Sequence, residues 1–266
     1  MEAISGVFKT RKRAQDAVEE IQKSGVALDK ITLLTPGTAD QMDKEVQAVP
    51  VDSAEQPGIG KGLGALAGGG VGIVGGALLV ALVPGVGPIT AVGLLGAAIL
   101  GAAGATIGAT VGNTLEKSTT TGLPEDEIFV YEDALRQGRS VVIVLAENKE
   151  SASLVRDQLK MHGAESVDAA REQWWIGLRN SEESHYSKSG KSFAEDEKYY
   201  RLGFEAALHA RRRCVEFDQV SGEMNAALED AQREHPGVQL EAAFTRGYQR
   251  GRDYYQQRCD ETGKAA

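Results

Sequence analysis

Residues 59–115 constrain the fold more than any other stretch. From Ile59 to Leu115 nearly every residue is small or apolar, and the one charge is Lys61 near the start. Pro84-Gly85-Val86-Gly87-Pro88 interrupts the run near its middle. Proline removes a helix donor and restricts the residue before it, so the sequence predicts a turn here between two helices. Each arm of about two dozen residues would extend about 35 Å, against about 30 Å for a bilayer's hydrocarbon core.

The glycines recur at helical spacing. Gly60, Gly64, Gly68, Gly72 and Gly76 stand every fourth residue in the first arm, and Gly104, Gly108 and Gly112 do so in the second. Gly93, Ala97, Gly101, Ala105 and Ala109 form a further small-residue row. Residues four apart share a helix face, and a row without side chains lets another backbone approach closely. Each glycine costs a water-exposed helix about 1 kcal/mol relative to alanine, so the rows make sense only where packing recovers the loss. The pattern is a glycine zipper. The expectation is an integral hairpin that enters a lipid bilayer and self-associates; the rival is an Ala/Gly-rich helical core buried inside a homo-oligomer.

The rest of the chain is polar. Net charge is -9 over 266 residues and is spread along the sequence, which argues against a nucleic-acid binder. Two cysteines, Cys214 and Cys259, fit neither a zinc spacing nor a disulfide framework and suit a reducing compartment. Met1-Glu2-Ala3 leads into polar sequence rather than a signal peptide, so the outer parts are expected to face the cytoplasm. The rival reading places the whole chain in the cytoplasm.

Outside the insert, a repeat organises residues 1–58 and 116–179. At an offset of 138, Thr10 matches Asn148, Ala14 matches Ala152, Ala17 matches Val155, Ile21 matches Leu159 and Gly25 matches Gly163. Each half reads as strand, capped helix, glycine stop, strand: Ala3–Phe8 and Lys30–Thr35 in the first, Ser140–Ala146 and Glu165–Ala169 in the second. Two βαβ units predict a ferredoxin-like α+β domain, interrupted by the two-helix hairpin. Pro124 opens a further helix to about Gln137, with Glu125, Asp126 and Glu127 at its N-terminal dipole. Residues 180–192 read as a linker and 193–260 as a small all-α region. There a fainter repeat at offset 44 pairs Tyr200 with Phe244, Gly203 with Gly247 and Phe204 with Tyr248. Its aromatics suit a helical bundle or a protein partner's docking face. Trp174 and Trp175 sit either on the open face of the α+β domain or at a membrane interface.

Gly6-Val7-Phe8-Lys9-Thr10 before an amphipathic helix, the Val83–Pro88 turn, and Gly122-Leu123-Pro124-Glu125-Asp126-Glu127 leading to Tyr131-Glu132 and a Val/Ile-rich strand resemble the bacterial general-stress (heat-induced stress) protein domain over about residues 3–170. The resemblance implies a bacterial, stress-associated protein with a glycine-zipper membrane segment, which places the expected hairpin in the bacterial inner membrane with the soluble parts on the cytoplasmic side. It brings no catalytic residues, cofactor or metal.

Motifs for chemistry are sparse. Gly70-Val71-Gly72-Ile73-Val74-Gly75 matches a dinucleotide fingerprint in letters, but no strand precedes it. His162, His185, His209 and His235 show no ligand spacing. The acids Glu125, Asp126, Glu127, Glu132 and Asp133 read as a helix start and solvated face rather than a cation site. Arg211-Arg212-Arg213 reads as a face paired to neighbouring acids rather than to anionic lipid. The expectation is therefore a non-enzymatic stress-response protein that works by self-association.

Overall fold

The computed structural model describes residues 2–37, 78–83, 86–93, 96, 99, 125–187, 192–213, 215–222, 224, 233 and 240–265. It is a mixed α+β fold built on one antiparallel sheet. In chain order the elements are β1 (Glu2–Phe8), α1 (Arg11–Lys23), a 3-10 turn (Leu28–Lys30), β2 (Ile31–Pro36), β3 (Leu78–Val83), β4 (Gly87–Val92), α2 (Ile128–Arg136), β5 (Ser140–Ala146), α3 (Lys149–Met161), α4 (Val167–Ser187), α5 (Phe193–Leu208) and α6 (Leu240–Ala265).

The strands lie in the order β1-β5-β2-β4-β3. Interior β5 pairs with β1 from Glu2↔Ala146 to Phe8↔Ser140, and with β2 from Ile31↔Val144 to Leu34↔Val141. Every residue of β5 is buried because helices cover both faces of the sheet. A strand sandwiched in this way reads as a continuous apolar run, here Ser-Val-Val-Ile-Val-Leu-Ala.

The offset-138 repeat is physical. Thr10 caps α1 by accepting from the Arg13 amide (3.4 Å), and Asn148 caps α3 by accepting from the Ser151 amide (2.8 Å). Such caps are worth about 1 kcal/mol each. Ala14, Ala17 and Ile21 of α1 and Ala152, Val155 and Leu159 of α3 pack on one sheet face, against Ile4, Phe8, Val142 and Val144. Gly25 (φ 98°) and Gly163 (φ 81°) then turn the chain in the left-handed region that glycine tolerates. The opposite face carries Val7, Leu34, Val141 and Ile143, buried under α2, α4 and the aromatics of α5.

Three expectations give way here. The Pro84–Pro88 turn joins strands, not helices: Leu78–Val83 and Gly87–Val92 form a β-hairpin, with Val83↔Gly87 the last pair and Gly87 at φ 108°. It extends the sheet through β4, which pairs Leu33↔Val92 to Pro36↔Ile89 against β2. The physical reason lies in the sequence, where Leu-Leu-Val-Ala-Leu-Val and Gly-Pro-Ile-Thr-Ala-Val are rich in β-branched residues and carry none of the four-residue glycine spacing. The last strand of the second half is reduced to one bridge, in which Val7 and Glu165 exchange both amide–carbonyl bonds at 2.9 Å. Helix α4 then starts at Val167 and continues through Ser187, across most of the stretch read as a linker. Ala170, Trp174, Glu182 and Tyr186, at spacings of four and eight, are buried along it.

Candidate functional site

Most of the expected packing residues lie outside the described residues: Gly60, Gly64, Gly68, Gly72, Gly76, Gly101, Gly104, Gly108 and Gly112, with Pro84 and Gly85 of the turn. Gly93 does not belong to a helix row. It follows β4 at φ 116°, and a Cβ there would meet the Ile31 carbonyl oxygen and stand 2.8 Å from Thr32 Cα. Its role is a close approach to β2. Pro88 is the second residue of β4 and pairs with Leu82.

The membrane expectation is overturned for the described residues, where no helix is long and apolar enough to cross a membrane. The tryptophans do not reach an interface. Trp174 and Trp175 are 5% and 3% exposed, inside a cluster that includes Phe129 and Phe204. Trp175 Nε1 donates to Glu197 Oε1 at 3.0 Å, which satisfies the buried indole.

Close glycine packing does occur, between α5 and α6. A Cβ on Gly203 would strike the Phe244 carbonyl, 2.8 Å from its carbon, and one on Gly247 would strike the Tyr200 carbonyl, 2.7 Å from its carbon. Gly251 continues the seam over Phe204, and a Cβ there would stand 3.0 Å from Ala207 Cβ. The contacts advance together along both helices, so the pair is parallel. They are also reciprocal at the offset of 44, because each helix offers a glycine to the carbonyl three residues before the other's glycine. The repeat Tyr200/Phe244, Gly203/Gly247, Phe204/Tyr248 is therefore a pseudo-two-fold helix crossing, with Ala207/Gly251 as its fourth member.

A polar seam flanks the crossing. Buried Glu182 of α4 receives two guanidinium bonds from Arg250 of α6 (3.0 and 2.9 Å) and one from the Tyr200 hydroxyl (2.8 Å). One turn earlier on α6, Arg246 meets Asp196 and the Tyr186 hydroxyl, and Tyr186 donates to Asp196. Burial and the Glu182 charge push the Tyr200 phenol far up, so it stays a donor. The signal for these residues was present as four-residue spacing, Glu182/Tyr186 on one helix and Arg246/Arg250 on the other, but the first pair fell in sequence read as linker.

Two acids of the run, Glu125 and Glu132, meet two arginines of the triplet, and the buried Glu132 is not on a solvated face. Arg213 forks onto Glu132 (2.6 and 3.0 Å) with both side chains under a tenth exposed, and Arg211 reaches Glu125 (2.6 Å). Asp126 faces Arg171 (3.8 Å), and Asp133 pairs with Arg136 (2.8 Å). Glu127 turns inward, accepting from the hydroxyls of Tyr131 and Ser5. Burial raises the carboxyls of Glu127 and Glu132 above their ordinary range, against hydrogen bonds from Tyr131 and Ser5 on one and the Arg213 charge on the other. A carboxylate in such a place is a structural cross-link whose strength depends on its partner.

The concave features are modest. An open groove of about 560 Å³ runs between α4 and α5, where Arg201 bridges Glu172 and Glu205 above the Trp175 ring. A cleft between α2 and α6, floored by Glu132 and Tyr255, has room for about 20 Å³, the size of one water. Among the described residues no three His, Cys, Asp or Glu side chains stand where they could hold a metal ion. Comparison with protein-family models, curated proteins and solved structures finds no match to this chain.

Proposed function

We propose that the chain is a non-enzymatic, self-associating protein whose assembly core is the glycine-zipper segment, carried at one edge of the sheet. The resemblance of residues 3–170 to the general-stress domain supplies the setting, a bacterial stress response. The single observation that carries the reading is where the segment attaches. Its two arms join the fold at Leu78 and after Val92, which are paired residues at one end of the β3–β4 hairpin. Both arms therefore leave from the same place.

That edge also differs from the opposite one. Beyond β1 the sheet is stopped by the Glu165 bridge and flanked by the ion pairs Arg139–Glu165 and Arg156–Glu2. Charges and short strands are how monomeric sheets discourage edge pairing. Outermost β3 is six residues of Leu, Val and Ala with no charge, and Leu82 on it is 38% exposed. The order Glu165-β1-β5-β2, with α1 and α3 on one face, supports the ferredoxin-like double βαβ as the rigid body that displays the segment.

The test is the mass of the full chain and of Gly72→Leu by sedimentation and light scattering. The expected result is an oligomer for the unaltered chain and a smaller species for the variant, with unchanged melting of the body. A full chain that stays monomeric at every concentration, or a variant of unchanged mass, overturns the proposal.

A further inference from the structure

Helix α1 opens against the usual charge rule. A helix N-terminus is the positive end of the dipole and ordinarily collects acids. Here Lys9, Arg11, Lys12 and Arg13 surround it, no acid lies in the first turn, and the chain as a whole carries -9. Lys9, Lys12 and Arg13 are exposed. The amides of a first turn point outward along the axis and add to the positive field. An anion at this end would turn the repulsion into attraction.

The sheet beneath supplies a second observation. Phe8, Ser140 and Thr35 form a row across β1, β5 and β2: Phe8 pairs with Ser140, and one step beyond Leu34↔Val141 brings Thr35 beside it. By strand alternation the row lies on the face that carries Phe8, Leu33 and Val142 against α1. Ser140 is 0% exposed, and its hydroxyl has no hydrogen-bond partner. Arg11, three residues past Phe8, reaches across to Thr35 Oγ1 (3.2 Å) and the Pro36 carbonyl (3.0 Å). Its arm therefore spans the strand that carries Ser140. A buried hydroxyl left unpaired costs stability until something bonds it, and this one lies under a cationic helix end.

We propose that the first turn of α1 and the Ser140 hydroxyl form a binding site for the phosphate group of a soluble small molecule. Arg11 and Lys12 supply charge and the first-turn amides supply donors. Arg11, on exchanging the Pro36 carbonyl for the phosphate, uncovers Ser140 as a donor from below. A phosphate fits better than a carboxylate because its several acceptor oxygens point in different directions and can meet the helix end and the sheet at once. The site makes no use of the glycine-zipper segment, so this proposal and the one above fail separately.

The test is thermal melting and calorimetry of the full chain with inorganic phosphate, against sodium chloride of equal ionic strength. The parent's Tm should rise with phosphate, as it does for any ligand that binds only the folded state. Ser140→Ala removes an unpaired hydroxyl and no charge. Without phosphate it should melt at or above the parent, and its phosphate Kd should be about tenfold weaker. Arg11→Gln should weaken binding as well, whereas Lys23→Gln, at the far end of α1, should bind as the parent does. The proposal is overturned by a Tm that follows ionic strength alone, by a Ser140→Ala protein that binds phosphate like the parent, or by one that melts lower without phosphate. Co-sedimentation with phosphatidylglycerol vesicles, with no response to free phosphate, would assign the cations to a lipid headgroup and overturn it too.

Discussion

Adding one methyl group at Gly247 tests the crossing directly. The new Cβ would stand 2.7 Å from the Tyr200 carbonyl carbon and 3.0 Å from its Cα. Ordinary carbon–carbon contact begins at about 3.5 Å, so α6 must retreat by about 0.5–1 Å. A gap of that size forfeits about a quarter to a half of each dispersion contact along the seam. Neighbouring backbone cannot rotate aside as a side chain would, which puts the overpacking cost near the upper end of the usual range, about 3 kcal/mol. Alanine returns about 1 kcal/mol of helix propensity. The net loss for Gly247→Ala is about 2 kcal/mol, or about 4–8 °C in Tm for a chain of this size. The same substitution at Gly177, an exposed position of α4 with nothing within 4 Å of its would-be Cβ, should instead stabilise by about 0.5–1 kcal/mol. Urea and thermal unfolding of the two variants side by side is the assay. A Gly247→Ala protein as stable as the parent would show that the helices do not touch as described.

Two further outcomes follow from the buried acids. Arg213→Met strands Glu132 without its fork and should cost about 3–5 kcal/mol, while adding Glu132→Met should recover most of the loss; equal denaturation midpoints for the single variant and the parent would refute the pairing. Glu127 has a folded-state pKa above its ordinary 4.5, so its contribution to stability is full below about that pH and is lost as pH rises through the raised value. Glu127→Gln keeps an acceptor for Tyr131 and removes the titration. The stability of the variant relative to the parent should therefore climb between acid and neutral pH, and a pH-independent difference in Tm would contradict the burial assigned to Glu127.

The legible parts of this fold were those written in short-range pattern. Thr10 and Asn148 mark helix starts, Gly25 and Gly163 mark stops, and the apolar triplets between them mark one sheet face; all are local, and all hold. The illegible parts depend on what comes from far away in sequence. Glycine periodicity on both sides of residues 78–92 suggested helix throughout, although the β-branched composition and the Pro-Gly-Val-Gly-Pro break already fit a hairpin against β2. Glu182 and Tyr186 looked like linker because charge and hydroxyl suggest solvent, yet Arg250 and Arg246, far along the chain on α6, make them buried anchors. The glycine repeat of α5 and α6 was visible as letters, but only the crossing shows that each glycine receives a carbonyl.

The place of β5 sets a problem of timing during synthesis. β1 and β2 do not pair with each other; each pairs with a strand that begins at Ser140. A ribosome adding about 5–20 residues per second completes β5 roughly 5–20 s after β2. Throughout that interval the nascent chain holds two apolar strands without their shared neighbour, and the glycine-rich segment emerges among them. Chaperone demand should therefore peak before residue 146 is released, and prematurely terminated chains ending short of β5 should be the aggregating species.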